Sequence, residues 1–254
     1  MRAPAPARGV MVVTGASRGI GAAIARLAAR AGYAVVVNYS ADADGAAAVV
    51  EDIANDGGTA VPARADVSDP AAVRSLFDAA ARLGTLTAVV NNAGITGNLM
   101  GNLVDVPAEN VRRVMDVNVT GLIYVCQEAV RRLSIHTGGA GGSVINISST
   151  ATKAGSPGTW AHYAASKGAV DVLTTGFAAE VAQQGIRVNA VAPGSTNTGL
   201  HAAAGMPDRV ERLNPTIPLG RGAEPEEVAA AVLWLMSAEA AYITGAVLPV
   251  SGGR

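Results

Sequence analysis

Thr14-Gly15-Ala16-Ser17-Arg18-Gly19-Ile20-Gly21 stands directly after the apolar run Val10–Val13 and opens a stretch of helical spacing at about 19–31. The order strand, glycine-rich turn, helix is how a parallel α/β sheet begins. Glycines at 15, 19 and 21 allow a tight turn and let backbone N–H groups approach a pyrophosphate. The helix N-terminus behind them favours negative charge. The spacing is G-x-x-x-G-x-G rather than G-x-G-x-x-G. Taken alone, such a turn serves helix–sheet packing as readily as a dinucleotide.

Outward from this turn the alternation repeats. Short apolar runs fall at Ala34–Val37, Thr59–Arg64, Leu86–Val90, Ser143–Ile147, Ile186–Val191 and Ala246–Val250. Between them lie stretches of helical spacing at about 42–56, 70–83, 107–136, 160–184 and 225–237. Pro70 and Pro225 mark first helical turns, and Gly32, Gly57, Gly84 and Gly185 follow helix ends. Strands without polar alternation are buried on both faces. With right-handed crossovers this predicts one α/β domain over 1–254, a doubly wound, seven-stranded parallel sheet with helices on both faces. The irregular stretch at about 194–224 follows the sixth strand, on the edge where ligands bind in such folds, and reads as a substrate lid. Leu200, Met206 and Leu213 within it either line a substrate pocket or form the buried face of a small helical excursion.

Composition narrows the function classes. Half of the 254 residues are hydrophobic, 15% are charged, and the formal net charge is −1. Mean hydropathy is +0.30. A core is available and global disorder is excluded. No basic excess exists to neutralise a nucleic acid. One cysteine, Cys126, cannot staple a secreted scaffold. The start, MRAPAPAR, has no apolar region of secretory length behind it. The run Val228 to Met236 falls short of the roughly 20 residues that span a bilayer. The expectation is a cytoplasmic protein with no membrane partner, in which the sequons at Asn118 and Asn146 carry no sugar. His136, His162 and His201 show no metal-ligand spacing, so no metal is expected. Arg131-Arg132 reads as a basic pair at a helix C-terminus.

Tyr163 and Lys167 lie four apart in a helical stretch and therefore share a face. A phenol near pKa 10 is a poor acid or base at neutral pH, and a nearby ammonium favours the phenolate. Such a pair beside a cofactor can serve as acid and base. The spacing alone also describes an ordinary surface pair. His162 adjoins Tyr163, but helix neighbours point about 100° apart, so it reads as a satisfied or solvent-facing residue.

Together, Thr14 to Gly21, Asn91-Asn92-Ala93-Gly94, Asn118, Ser149, Tyr163-x-x-x-Lys167 and Pro193-Gly194 resemble, in order and spacing, the short-chain dehydrogenase/reductase family. The pattern is most similar to its 3-oxoacyl reductase and glucose 1-dehydrogenase group and runs from residue 9 to Gly252-Gly253. The resemblance implies a Rossmann fold and an oxidoreductase acting on a small to medium carbonyl or secondary alcohol. It implies Tyr163 as acid/base and Lys167 as the group that binds the nicotinamide ribose and lowers the tyrosine pKa. Ser149 would hold the substrate oxygen, and Asn118 would order a water in the proton relay. Cofactor contacts are implied at Gly15, Ser17, Arg18, Gly19, Ile20 and Gly21, at Asp66 and Val67, at Asn92, Ala93 and Gly94, and at Pro193, Gly194, Thr196 and Thr198. A homotetramer or dimer would form through the helices at 107–136 and 160–184.

The chain departs from the family pattern in places. The loop from Ser149 to Tyr163 is one residue longer than in many members, which makes Thr150 a rival to Ser149. Ser149 is preferred because it directly ends the strand. Thr196 stands where an aliphatic residue is common, and Gln184 replaces a basic residue of many carrier-protein reductases. The lid's apolar residues suggest a substrate of modest charge.

Cofactor choice is read at the end of the second strand. NAD-preferring sites usually place an acid there, about 20 residues beyond the glycine turn. Here that position is Tyr39, flanked by Asn38 and Ser40. With no carboxylate to repel a 2′-phosphate, and Arg18 able to reach it, NADP(H) is expected over NAD(H). Asn38 and Ser40 would add neutral donors; nearby Asp42 argues the other way. Rival readings are a nucleotide-sensing module that binds NADP without turnover, a 3-oxoacyl thioester reductase, and an epimerase or dehydratase on the same cofactor site.

Overall fold

Val10–Val13 (β1) pairs in parallel with Ala34–Tyr39 (β2) on one side and Leu86–Asn91 (β4) on the other. Thr59–Arg64 (β3) lies outside β2. Gly142–Ile147 (β5), Ile186–Pro193 (β6) and Val247–Val250 (β7) continue beyond β4. The order is β3-β2-β1-β4-β5-β6-β7, with every pairing parallel. The expected seven-stranded sheet is therefore present, in the order of a Rossmann fold. The computed structural model describes residues 8–97 and 99–254. The opening segment 1–7, read above for an export signal, and the His201 side chain lie outside the described residues.

Both faces of the sheet are covered, which is why its strands read as unbroken apolar runs. In β1, Met11 and Val13 join one core with Gly19–Arg30 (α1), Ala43–Asn55 (α2) and the late helix Pro225–Met236. Val10 and Val12 point the opposite way. They join a second core with Pro70–Leu83 (α3) and two later helices, Leu122–Leu133 and Ala161–Val181. Asp69 and Asp42 cap α3 and α2, each accepting a backbone N–H of the first turn.

Three stretches differ from the periodicity. The expected helix at 107–136 is broken into Ala108–Met115 (α4), a wide π-helical turn Asp116–Gly121, and Leu122–Leu133 (α5). Two contacts account for the break. Gly121 packs so closely on Val67 that an added Cβ would stand 2.8 Å from its side chain. Asn118 reaches inward to the backbone of Ile95. A wide turn lets Asn118 face that way while Val114 and Val125 on its two flanks both remain buried. The loop after β5 contains a short helix, Ala151–Ala154 (α6), that has no periodic signal. The long helix Ala161–Val181 (α7) ends in a tight turn, Ala182–Gln184. The stretch 194–224 holds two short helices, Gly199–Ala203 (α8) and Arg209–Leu213 (α9), before Pro225–Met236 (α10). Arg131 and Arg132 both pair with Glu128 on α5, and Arg132 also with Asp78.

Candidate active site

The C-terminal ends of the strands border a cleft of about 490 Å³. It runs from the ends of β2 and β3, past the turn after β1, to the loops after β5 and β6. Every cofactor-contact residue expected from the sequence lines it except Gly21. Gly21 works from behind. A Cβ there would collide with the Gly15 carbonyl and stand 2.5 Å from Asn92 Nδ2. Gly21→Ala is therefore expected to lower stability by about 1–3 kcal/mol through overpacking and to weaken dinucleotide binding. Thermal unfolding and cofactor titration check this; unchanged values for both would separate Gly21 from the turn.

The turn is built by its neighbours. Asn92 Nδ2 donates to the carbonyls of Thr14 and Gly15 at 2.9 and 2.8 Å. Thr14 Oγ1 accepts the N–H groups of Asn92 and Ala93, both at 3.0 Å. Gly15, at φ +61°, lies so close to Ala93 that a side chain would meet its Cα at 2.9 Å. The first turn of α1 holds no acidic residue, and Arg18 at its N-cap makes no side-chain cap. The free N–H groups there suit an anion such as a pyrophosphate, so the residues present fit a dinucleotide.

Asn38 corrects one expectation. Its Oδ1 accepts Gly15 N–H at 3.1 Å, and its Nδ2 donates to the carbonyls of Tyr39, Ala63 and Ala65. The buried amide is consumed in tying the glycine turn to β2 and β3, so it is no donor for a 2′-phosphate. Tyr39 ends β2 and, with Ser40 and Arg18, lines the cleft. Arg64 Nε donates to the Ser40 carbonyl at 3.2 Å, a second guanidinium at this end that the sequence reading missed. Asp42 is turned to its capping role, accepting Gly45 N–H at 3.1 Å. Asp66 faces the cleft and is held by Arg113 at 2.8 Å and by Ser68. Burial pushes its pKa up, but the Ser68 and Arg113 hydrogen bonds win and hold it below the usual range.

Ser149, Tyr163 and Lys167 share the wall at the end of β5. Lys167 is buried, and its Nζ donates to the Ile147 carbonyl at 2.7 Å. Burial lowers its pKa to about 8, while the charge of Asp171, one turn further along α7, acts the other way. Asp171 also accepts the Ser148 hydroxyl, a contact absent from the sequence reading though its i,i+4 spacing from Lys167 was available. Lys167 Nζ stands 5.8 Å from the centre of the Tyr163 ring. The resemblance makes the lysine lower the tyrosine pKa. Here burial raises it, and the Ser149 hydroxyl pulls the other way. Of the two rivals, Ser149 is the one whose hydroxyl acts on Tyr163. Thr150 donates its backbone N–H to Pro193 at 2.9 Å.

Asn118 sits behind this wall and does not line it. Its amide pairs with both the N–H and the carbonyl of Ile95, at 2.8 and 2.9 Å, and donates to Ser166 at 3.0 Å. It thus ties the wide turn to α7 and to the loop after β4. A buried chain of polar groups, Cys126–Asn91–Asn146–Thr174, links β4, β5 and α7 nearby. Burial pushes the Cys126 thiol up to about 12, with Asn91 acting the other way, which leaves it inert. His162 is buried; its Nε2 meets the Thr96 carbonyl at 3.0 Å, while its Nδ1 has no hydrogen-bond partner among the described residues. Among the described residues, no group of three or more His, Cys, Asp or Glu is placed to hold a metal, and no helix is long and apolar enough to cross a membrane.

Thr196 is buried and bridges to Ala223, while Thr198 Oγ1 caps Leu200 N–H. Both line the cleft next to Pro193 and Gly194. Leu200 and Leu213 line it as well, whereas Met206 is buried and does not. The stretch 194–224 is thus both a cleft wall and a small helical excursion.

The family description Enoyl-(Acyl carrier protein) reductase matches residues 15–254. An uncharacterized oxidoreductase of Escherichia coli (strain K12) is 47% identical over 248 residues, spanning 96% of this chain and 99% of its own. Glucose 1-dehydrogenase 2 of Bacillus subtilis (strain 168) is 39% identical over 244 residues, spanning 95% of this chain and 93% of its own. A short chain dehydrogenase from Burkholderia cenocepacia J2315, solved in complex with NADP, is similar with a TM-score of 0.87 at 34% identity, over 96% of this chain and 97% of that one. The glycine turn, the Ser149–Tyr163–Lys167 wall and these similarities agree: the chain belongs to the short-chain dehydrogenase/reductase family of oxidoreductases.

Proposed function

We propose that this chain is an NADP(H)-preferring reductase or dehydrogenase acting on a carbonyl or secondary alcohol. The observation that carries the reading is the wall where Ser149, Tyr163 and Lys167 meet the dinucleotide cleft. When bound, the nicotinamide group supplies or accepts the hydride. The chain's own residues handle the proton and the oxygen. Ser149 donates a hydrogen bond to the substrate oxygen. Tyr163, kept protonated at neutral pH by burial, gives its proton to that oxygen as charge develops. Lys167 then holds the phenolate beside an ammonium. Asn118 positions α7 and the loop after β4 without touching the cleft. Presence of both Tyr163 and Lys167 favours turnover over a sensing module.

The NADP preference rests on Tyr39 standing where an acid would repel a 2′-phosphate, on Arg18 in the cleft, and on Arg64 beside Ser40. The NADP held by the Burkholderia relative supports it. A hydrogen bond to a charged group contributes about 1.5–3 kcal/mol, or roughly 10- to 150-fold in affinity. Arg18→Ala should weaken NADPH by that factor and leave NADH nearly unchanged in titrations followed by fluorescence. Equal losses for both cofactors, or tighter NADH binding by the unaltered chain, would overturn the assignment. The same reading carries a cytoplasmic homo-oligomer; exposed Val104 ahead of α4 and Val172 on α7, 90% and 76% accessible, suit such an interface.

A further inference from the structure

The cleft is unevenly charged. Its two acidic side chains, Asp42 and Asp66, stand with the ends of β2 and β3, and both are engaged, by Gly45 and by Arg113. The part of the wall made by α6, α9 and the last residue carries Lys153, Arg209 and Arg254 and no Asp or Glu. None of these three cations pairs with a carboxylate among the described residues. Of the acids in and just after the 194–224 stretch, Glu211 on α9 does not line this cleft and two others are taken elsewhere. Asp208 pairs with Arg212 at 2.8 Å and Glu227 with Arg221 at 2.7 Å.

Arg209 is held in place. Its guanidinium lies over the ring of buried Trp160, 4.6 Å from the centre. Stacking of this kind orders the fork in advance, so less freedom is lost when it binds a ligand. Trp160 is the N-cap of α7, three residues before Tyr163. Trp160, Tyr163 and Arg209 all line the same cleft. Burial holds the Arg209 pKa below its ordinary value, and the charges of Arg254 and Arg212 add to the effect. Like-charged side chains gathered on one wall with no Asp or Glu among them are relieved by an anion placed there.

We infer that the substrate carries an anionic group, a carboxylate or a phosphate, a few bonds from the reacting carbonyl, and that Arg209 and Arg254 bind it with Lys153 at the rim. This rests on the reductase reading of the same cleft and departs from the modest substrate charge that the lid's apolar residues suggest. Short oxo acids, their hydroxy acids and phosphorylated ketones fit it.

The test compares matched pairs with NADPH as reductant: 4-oxopentanoate against its methyl ester, and dihydroxyacetone phosphate against dihydroxyacetone. The full chain should show kcat/KM at least about 10-fold higher for the anion in one pair, which also tells carboxylate from phosphate. Arg209→Gln should lose about 10- to 100-fold on that anion, mostly in KM, with the neutral partner and the NADPH Kd unchanged. Arg254→Gln provides a second variant outside α9. Neutral partners used as well as the anions, equal losses for both members of a pair, or a weaker NADPH Kd in Arg209→Gln would overturn the inference; the last would assign the guanidinium to the cofactor. Calorimetry with succinate, which has no carbonyl to reduce, separates the two readings. Arg209-dependent succinate binding without turnover of any carbonyl keeps the anion site and sinks the reductase. Turnover of neutral ketones with no gain from a negative charge does the reverse.

Discussion

Tyr163→Phe should cut turnover by about 10²–10⁴-fold while NADPH binds as before. The change removes one hydroxyl and keeps the ring, so the wall between Ser149 and Lys167 retains its shape. In the proposed mechanism the lost hydroxyl is the proton carrier. Burial pushes its pKa up from the ordinary phenol value, so it is protonated at neutral pH. Steady-state rates and a cofactor titration on the same preparation decide the matter. Near-normal turnover with intact NADPH binding would remove Tyr163 from the mechanism.

Lys167→Ala should lower turnover by about 10²–10³-fold and also weaken cofactor binding, which distinguishes it from the tyrosine change. It should change the pH profile as well. Burial brings the Lys167 pKa down to about 8, so its charge is present below that pH and disappears as pH rises through it. In the proposed mechanism the ammonium stabilises the phenolate that Tyr163 leaves behind. Carbonyl reduction by the unaltered chain should therefore be level below about pH 8 and fall above it. In Lys167→Ala the residual rate should show no break there. A break that survives the substitution would assign the titration to another group, and unchanged turnover would make the Tyr163–Lys167 pair structural.

Much of this site is local in sequence. The glycine turn lies between a strand and a helix, and Tyr163 and Lys167 are one helical turn apart, so their placement follows from the backbone period. Ser149 is preferred over Thr150 as standing at the end of the strand; β5 itself stops at Ile147, two residues earlier, and the Ser149 hydroxyl lies beside Tyr163. What escaped depends on contacts between distant segments. Asn38 looks like a cofactor donor from its position after Val37. Its amide is instead spent on Gly15, on Ala63 of β3 and on Ala65 just after it, the last two 25 and 27 residues away. Asn118 sits in an apolar stretch whose helical period continues through it. The wide turn there arises from Ile95, 23 residues earlier, and from Val67 against Gly121. Trp160 and Arg209 are 49 positions apart, and no spacing rule predicts their stacking. The α6 segment is a single turn, too short for periodicity to register.

Hydride transfer can be followed directly by reducing a ketone with NADPH that carries deuterium at the transferred C4 position. The mechanism predicts one alcohol formed per NADPH consumed, with the deuterium on the carbinol carbon and its hydroxyl proton drawn from solvent through Tyr163. The same label experiment with Tyr163→Phe should yield almost no alcohol. NADPH bound tightly by the unaltered chain, yet no deuterated alcohol from any oxo acid, phosphorylated ketone or neutral ketone, would contradict the assignment of this cleft as a carbonyl reductase.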